Sequence, residues 1–200
     1  MASQKPVILI GGTAGVGKTW TARYICQACS LDHRLGTGFL REVLKTVVSE
    51  EAAPSLHRYT FSPPEGMPLL EHYELQCRQV RKAVEACIQR ARREGTSLVV
   101  EGSNLLPSVV EPGLADLYVV IKIEDESLHR HCVLAHSHSL RKVSEEDFQA
   151  IRKIQEYILR ECETAAGDSL IVVERDDSDA VARQIAGRVN ALAPRGGGDA

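Results

Sequence analysis

Eight consecutive residues, Gly12-Thr13-Ala14-Gly15-Val16-Gly17-Lys18-Thr19, match G-x-x-x-x-G-K-[ST] at every fixed position. The glycines let the backbone turn its N–H groups onto phosphate oxygens, and a helix starting at the end of the loop adds its positive N-terminus. Lys18 would hold the β- and γ-phosphates, and the Thr19 hydroxyl would ligate Mg²⁺. The motif therefore predicts a nucleoside-triphosphate site formed by all eight residues, with Mg²⁺ as its metal. A second chemical group follows the apolar run Leu98-Val99-Val100: Glu101, a carboxylate at a predicted strand end, placed to orient the metal shell or accept a proton, or else only to cap the next turn. Farther on, Arg130 and Arg141 are candidate clamps on the phosphates, with a solvated helix face as the alternative.

These groups need a scaffold, and the hydrophobic pattern supplies one. Val7-Ile8-Leu9-Ile10, Leu98-Val99-Val100, Leu117 through Ile123 and Leu170-Ile171-Val172-Val173 are apolar runs without alternation, as in strands covered on both faces. Helical patterning lies between most of them. A long helix is predicted over about 70–93, where Tyr73, Cys77, Val80, Val84, Ile88 and Ala91 recur at three and four residues before Gly95. Ser144-Glu145-Glu146-Asp147 resembles a capping box with Asp in the third place, opening a helix whose stripe is Phe148, Ile151, Ile154, Ile158 and Cys162. A last helix carries Val181, Ile185, Val189 and Leu192, stopped by Pro194. The expected fold class is α/β, a three-layer P-loop NTPase fold with a parallel sheet flanked by helices. One domain over 1–194, a small helical lid at about 125–143 and a disordered tail at 195–200 complete the prediction.

Composition limits the partners. With 24 Lys and Arg against 27 Asp and Glu, a net charge of -3 and 4% aromatic residues, the chain lacks the footprint of a nucleic-acid binder. No run approaches the roughly 20 apolar residues of a membrane helix, and MASQKP has none of the features of a secretory signal, so a cytoplasmic location is expected. Cys26 and Cys29 form a C-x-x-C inside the helix expected after the loop, where packed thiols are favoured over redox or metal chemistry. His129, His131, Cys132, His136 and His138 match no familiar ligand spacing. Trp20 is expected to pack rather than stack on adenine. A homodimer stays open beside a monomer.

GGTAGVGKT, GTGFLREVL, EACIQRARREGTSLVVEGSNLLP and FQAIRKIQEYIL together resemble the 2-phosphoglycerate kinases, a branch of the P-loop kinases. The resemblance implies a nucleoside-kinase-like core that transfers the ATP γ-phosphate to a small anionic metabolite, either 2-phosphoglycerate or a related hydroxy acid. Two positions depart from the pattern: Gly38 stands where the family has an Asp, the usual acceptor of the substrate hydroxyl's proton, and Asn104 stands where a His is expected. Either Glu101 or Glu42 serves as base, or a loose phosphoryl-transfer transition state needs little help, or the acceptor differs. Arg41 matches the family's Arg and could pair with an acceptor phosphate or carboxylate. His57, Arg58 and Tyr59, with Gln76 and Arg81 of the long helix, could complete an anionic pocket. The resulting expectation is a kinase with Lys18, Glu101 and Arg130 catalytic, Thr19 on the metal, and Arg41, Arg58 and Arg81 on the substrate. The alternatives are an ATP-binding switch without its own acceptor, or a kinase of another small molecule such as a nucleoside.

Overall fold

The computed structural model describes residues 5–134, 143–165 and 167–192. Five strands, β1 (Val7–Gly11), β2 (His33–Gly36), β3 (Leu98–Glu101), β4 (Leu117–Lys122) and β5 (Leu170–Glu174), form one sheet in the order β2-β3-β1-β4-β5. Every pairing is parallel. Six α-helices are described: α1 (Lys18–Ala28), α2 (Thr37–Lys45), α3 (Leu69–Glu94), α4 (Glu126–Leu134), α5 (Glu145–Thr164) and α6 (Ser178–Leu192).

Strand β1 shows why its sequence is continuously apolar. Val7 and Leu9 enter a core shared with Tyr73, Val84 and Ile88 of α3 and Ile151, Ile154 and Ile158 of α5. Ile8 and Ile10 enter a second core with Ala22 and Ile25 of α1 and Val181, Ile185 and Val189 of α6. The sheet is therefore the middle of three layers, as predicted, but β5, expected to be covered on both faces, is an edge strand flanked only by β4 and leaves Val172 42% exposed. With β3 on one side of β1 and β4 on the other, the crevice at the carboxyl end of β1 is the switch point where such sheets receive ligands.

Local signals behave as their chemistry requires. The capping box is complete: the Asp147 N–H donates to Ser144 Oγ at 3.1 Å, and the Ser144 N–H donates to Asp147 Oδ2 at 2.9 Å. Asp therefore substitutes for the usual Glu at this position. Gly95, at φ 64°, ends α3 in the left-handed conformation. Two elements do not announce themselves in the sequence. Strand β2 reads His-Arg-Leu-Gly, with no apolar run, because it is an edge strand with partly exposed residues. A short 3-10 turn, Pro54–His57, orders part of the proline-rich connection between α2 and α3. Residues 135–142 and 193–200 lie outside the described residues, and with them Arg141, His136, His138, Pro194, the far half of the expected lid and the tail.

Candidate active site

The loop between β1 and α1 closes tightly on itself. Gly12 has φ 128°, and a Cβ there would meet the Ile121 carbonyl oxygen at 2.3 Å, so a side chain is excluded by both conformation and space. Lys18 opens α1 and donates from Nζ to the Thr13 carbonyl oxygen at 2.5 Å. Burial pushes its pKa down to about 8, only partly offset by the nearby Glu101 carboxylate. Thr13 Oγ1 is buried with no hydrogen-bond partner. A buried cation on a backbone oxygen, beside an unused hydroxyl, makes a loop suited to a polyanion.

Glu101 is almost wholly buried and pairs in register with Ile10, which brings the ends of β1 and β3 together. Its Oε1 accepts from Thr19 Oγ1 at 3.1 Å and from Arg34 Nη1 at 3.4 Å. Hydroxyl and carboxylate oxygens side by side are the donor types that Mg²⁺ prefers, so the residues present fit the metal. Behind them runs a buried relay in which Thr37 Oγ1 donates to Asn104 Oδ1 at 3.3 Å and Asn104 Nδ2 donates to Gln76 Oε1 at 2.8 Å. Gly102, at φ 155°, keeps this corner open, because a Cβ there would lie 1.8 Å from Thr37 Oγ1. Gly102→Ala is expected to lower stability by at least about 2 kcal/mol, read as a shift of the urea unfolding midpoint. An unchanged midpoint would show that Thr37 swings away freely.

A cavity of about 430 Å³ extends from the loop to α2 and the connection between α2 and α3. Its wall includes Lys18, Thr19 and Glu101 together with Thr37, Gly38, Arg41 and the segment Tyr59-Thr60-Phe61. Arg41 is the one predicted substrate residue whose side chain lines it. Buried on α2, Arg41 also donates from Nη1 to the Arg58 carbonyl oxygen at 2.9 Å, and Gln76 Nε2 donates to the same oxygen at 3.0 Å. His72 Nε2 bonds the Tyr59 carbonyl oxygen at 2.8 Å, so buried side chains hold the backbone of this wall.

Arg58 and Arg81 are placed differently from the expectation. The Arg58 guanidinium turns out to solvent toward Glu50 at 3.6 Å, and it is the Arg58 carbonyl that serves the site. Arg81 bonds Glu85 one turn on, at 2.5 Å, and lies 3.5 Å from Glu111. Both are satisfied by nearby carboxylates and line no part of the cavity. Glu42, the alternative base, pairs with Lys45 at 2.8 Å, and that contact holds its carboxyl below the usual range. At Gly38, where the resemblance leads one to expect an Asp, a Cβ would meet nothing within 4 Å, so the position is open.

A second cavity lies on the other side of the loop, lined by Gly15, Gly17, Lys18, Thr19, Trp20, Cys132, Arg175 and Ser178. Trp20 is not packed away as expected: it is 49% exposed on this wall and donates from Nε1 to Asp179 Oδ1 at 3.1 Å. Arg130, the predicted clamp, is held by Glu126 at 2.6 Å and by Glu145, with its guanidinium 4.5 Å over the Phe148 ring, and it lines neither cavity. The arginine that does reach the loop is Arg175, just past β5. Sequence reasoning missed it, although its position at a strand's carboxyl end was the same signal that selected Glu101. Of the histidine cluster, His129 is wholly buried against the loop, and no metal-binding group of three or more His, Cys, Asp or Glu occurs among the described residues.

No family model matches this chain. The 2-phosphoglycerate kinase of Methanocaldococcus jannaschii is 29% identical over 181 residues, covering 84% of this chain and 58% of its own length. That of Thermococcus kodakarensis is 28% identical over 166 residues, covering 76% of this chain and 56% of its own. This chain resembles the archaeal 2-phosphoglycerate kinases. It spans a little over half the length of those relatives. Among solved structures, a shikimate kinase from Acinetobacter baumannii in complex with shikimate superposes with TM-score 0.57 at 13% identity, over 94% of this chain and 95% of that one. A gluconokinase from Sinorhizobium meliloti superposes with TM-score 0.55 at 14% identity, over 96% of this chain and 95% of that one. The parallel sheet, the loop after β1 and these neighbours establish a three-layer α/β fold with a phosphate loop, the architecture those two structures share.

Proposed function

We propose that this chain is an ATP-dependent phosphotransferase acting on a hydroxyl group of a small anionic metabolite, with 2-phosphoglycerate or a related hydroxy acid as acceptor. The observation that carries the proposal is that Lys18, Thr19, Glu101 and Arg41 all line one cavity. Phosphoryl transfer needs positioning and charge neutralisation more than covalent chemistry, and those four side chains supply both. In this reading Lys18 leaves the Thr13 carbonyl for the nucleotide phosphates. Thr19 and Glu101 would hold Mg²⁺, which when bound neutralises charge on the transferring group. Arg41 pairs with the acceptor's anionic end; a Glu101 carboxylate bound to the metal leaves transfer to its loose transition state with little base help, whereas one outside the metal shell receives the hydroxyl proton. Arg130 would have to leave Glu126 and Glu145 to touch a phosphate. The names of the relatives support 2-phosphoglycerate, and the open space at Gly38 leaves room for a different acceptor.

The depressed pKa of Lys18 gives this reading a pH signature. The empty site loses the ammonium proton as pH rises through about 8, whereas phosphate oxygens hold that proton on. Binding then takes up a proton, and ADP affinity is expected to fall by up to about tenfold per pH unit above 8. Titrations at pH 7, 8 and 9 check it, and equal affinity at all three would remove Lys18 from the phosphate contact.

The direct experiment is transfer from Mg²⁺-ATP to 2-phosphoglycerate, 3-phosphoglycerate, glycerate and nucleosides with the products resolved. Phosphorylation of a hydroxy acid supports the proposal, whereas phosphorylation of nucleosides alone would reassign the acceptor. No described helix is long and apolar enough to cross a membrane. The six cysteines stand as free thiols, which supports a reducing, cytoplasmic setting.

A further inference from the structure

Two side chains distant in sequence close on consecutive carbonyls of the phosphate loop. His129, from α4, bonds the Ala14 carbonyl oxygen through Nε2 at 2.9 Å. Arg175, from the turn after β5, donates through Nη1 to the Gly15 carbonyl oxygen at 2.7 Å. Neither contact follows from the loop motif, because both partners lie more than a hundred residues away.

Each side chain is itself locked. Arg152 of α5 donates from Nη1 to the Ile123 carbonyl oxygen at 2.7 Å and sits 3.3 Å from His129 Nδ1. Since a guanidinium only donates, Nδ1 must be the accepting nitrogen, which leaves the proton on Nε2, facing Ala14. The Phe148 ring stands edge-on to the imidazole at 5.5 Å. Burial and the surrounding Arg152, Lys18 and Arg175 charges lower the His129 pKa, in keeping with a neutral imidazole. Arg175 is braced in turn by Ser178 Oγ, which accepts from its Nε at 2.8 Å.

The geometry of the peptide unit says what such a clasp does. In a trans peptide the C=O of one residue points opposite to the N–H of the next, and no described peptide is cis. Fixing the Ala14 carbonyl therefore fixes the Gly15 N–H, and fixing the Gly15 carbonyl fixes the Val16 N–H. Glycine-rich loops bind phosphate through such N–H groups, yet Gly15, at φ 83°, is intrinsically free to turn either way.

We propose that His129 and Arg175 are positioning residues for the nucleotide, clasping the Ala14 and Gly15 carbonyls so that the Gly15 and Val16 N–H groups stay aimed at phosphate. This rests on the kinase reading above and adds to it two residues outside the motif. They act through the loop backbone and set nucleotide affinity rather than acceptor affinity.

The test is calorimetric titration of ADP into the full chain and its variants, alongside KM for ATP and for the acceptor. His129→Ala and Arg175→Met are each expected to weaken ADP binding about tenfold or more, the usual effect of losing a hydrogen bond that organises a charged ligand. KM for the acceptor should move less than twofold. His129→Gln, which keeps a side-chain N–H near the Nε2 position, should recover most of the affinity, and Arg175→Lys should recover part. A purely structural role would lower the unfolding midpoint without this split and without rescue by glutamine. Should His129→Ala fail to fold, half-buried Arg175 gives the same reading through Arg175→Met. Wild-type affinity in the folded alanine and methionine variants, or equal losses for ADP and acceptor, would overturn the clasp. No ADP binding by the wild-type chain would instead overturn the kinase reading itself.

Discussion

Lys18→Ala is expected to reduce phosphoryl transfer by a factor on the order of a thousand, at the upper end of what removing one preorganised donor costs. Lys18 Nζ stands within the loop on the Thr13 carbonyl, on the wall of the cavity that also holds Thr19, Glu101 and Arg41. The same substitution should leave the fold intact. A buried ammonium whose pKa is drawn down to about 8 is held at a cost to the folded state, so its removal relieves a desolvated charge. The urea midpoint of the variant should therefore correspond to a change within about 1 kcal/mol, while turnover collapses. Turnover close to that of the wild type would remove the loop from the reaction.

Glu101→Gln is the second large effect, an expected loss of a hundredfold or more in the single-turnover rate. Glutamine keeps the size of the side chain and an oxygen for Thr19 Oγ1, but it loses the charge that would hold a hard cation and the basicity that would take a proton. Arg34, 3.4 Å from the carboxylate, would lose its counter-ion, so a modest stability change is expected too. A near-normal rate in the folded variant would mean that transfer proceeds without a side-chain base here, since the Glu42 carboxylate is occupied by Lys45 and lines no part of the cavity.

Much of the scaffold was readable because burial on both faces demands continuous apolar strands. β1, β3 and β4 are buried and appear as such runs, with the phosphate loop after the first of them, whereas β5 carries the run Leu170–Val173 although it is an edge strand in which only Val173 is buried. Strand β2 was hidden because an edge strand needs no such run, so His33 and Arg34 look like loop residues. That Glu101 and Arg41 line the cavity was legible, the first from its place at a strand end and the second only through resemblance. Arg58 and Arg81 carried the right charge, but charge alone does not say where a long side chain points. Arg81 has Glu85 four residues on and Arg130 has Glu126 four residues back, spacings that favour pairing along the helix over reaching into a pocket. The spacing of His129 and its neighbours argued against a metal but gave no other role, because its partner is a carbonyl brought close only by the tertiary fold.

The departure at Gly38 bears on the acceptor more than on the fold. The position faces the cavity, and open space lies where a side chain would begin. In the proposed reading, proton acceptance then falls to Glu101, or the loose transition state of phosphoryl transfer proceeds with little base assistance.

The measurement that bears most directly on the function is product-resolved transfer from Mg²⁺-ATP across 2-phosphoglycerate, 3-phosphoglycerate, glycerate, other hydroxy acids and nucleosides, with Lys18→Ala run in parallel. The predicted result is a phosphorylated hydroxy acid formed by the wild-type chain and lost in the variant. Tight ATP binding with no phosphorylated product from any acceptor would contradict it and identify the chain as a nucleotide-binding switch.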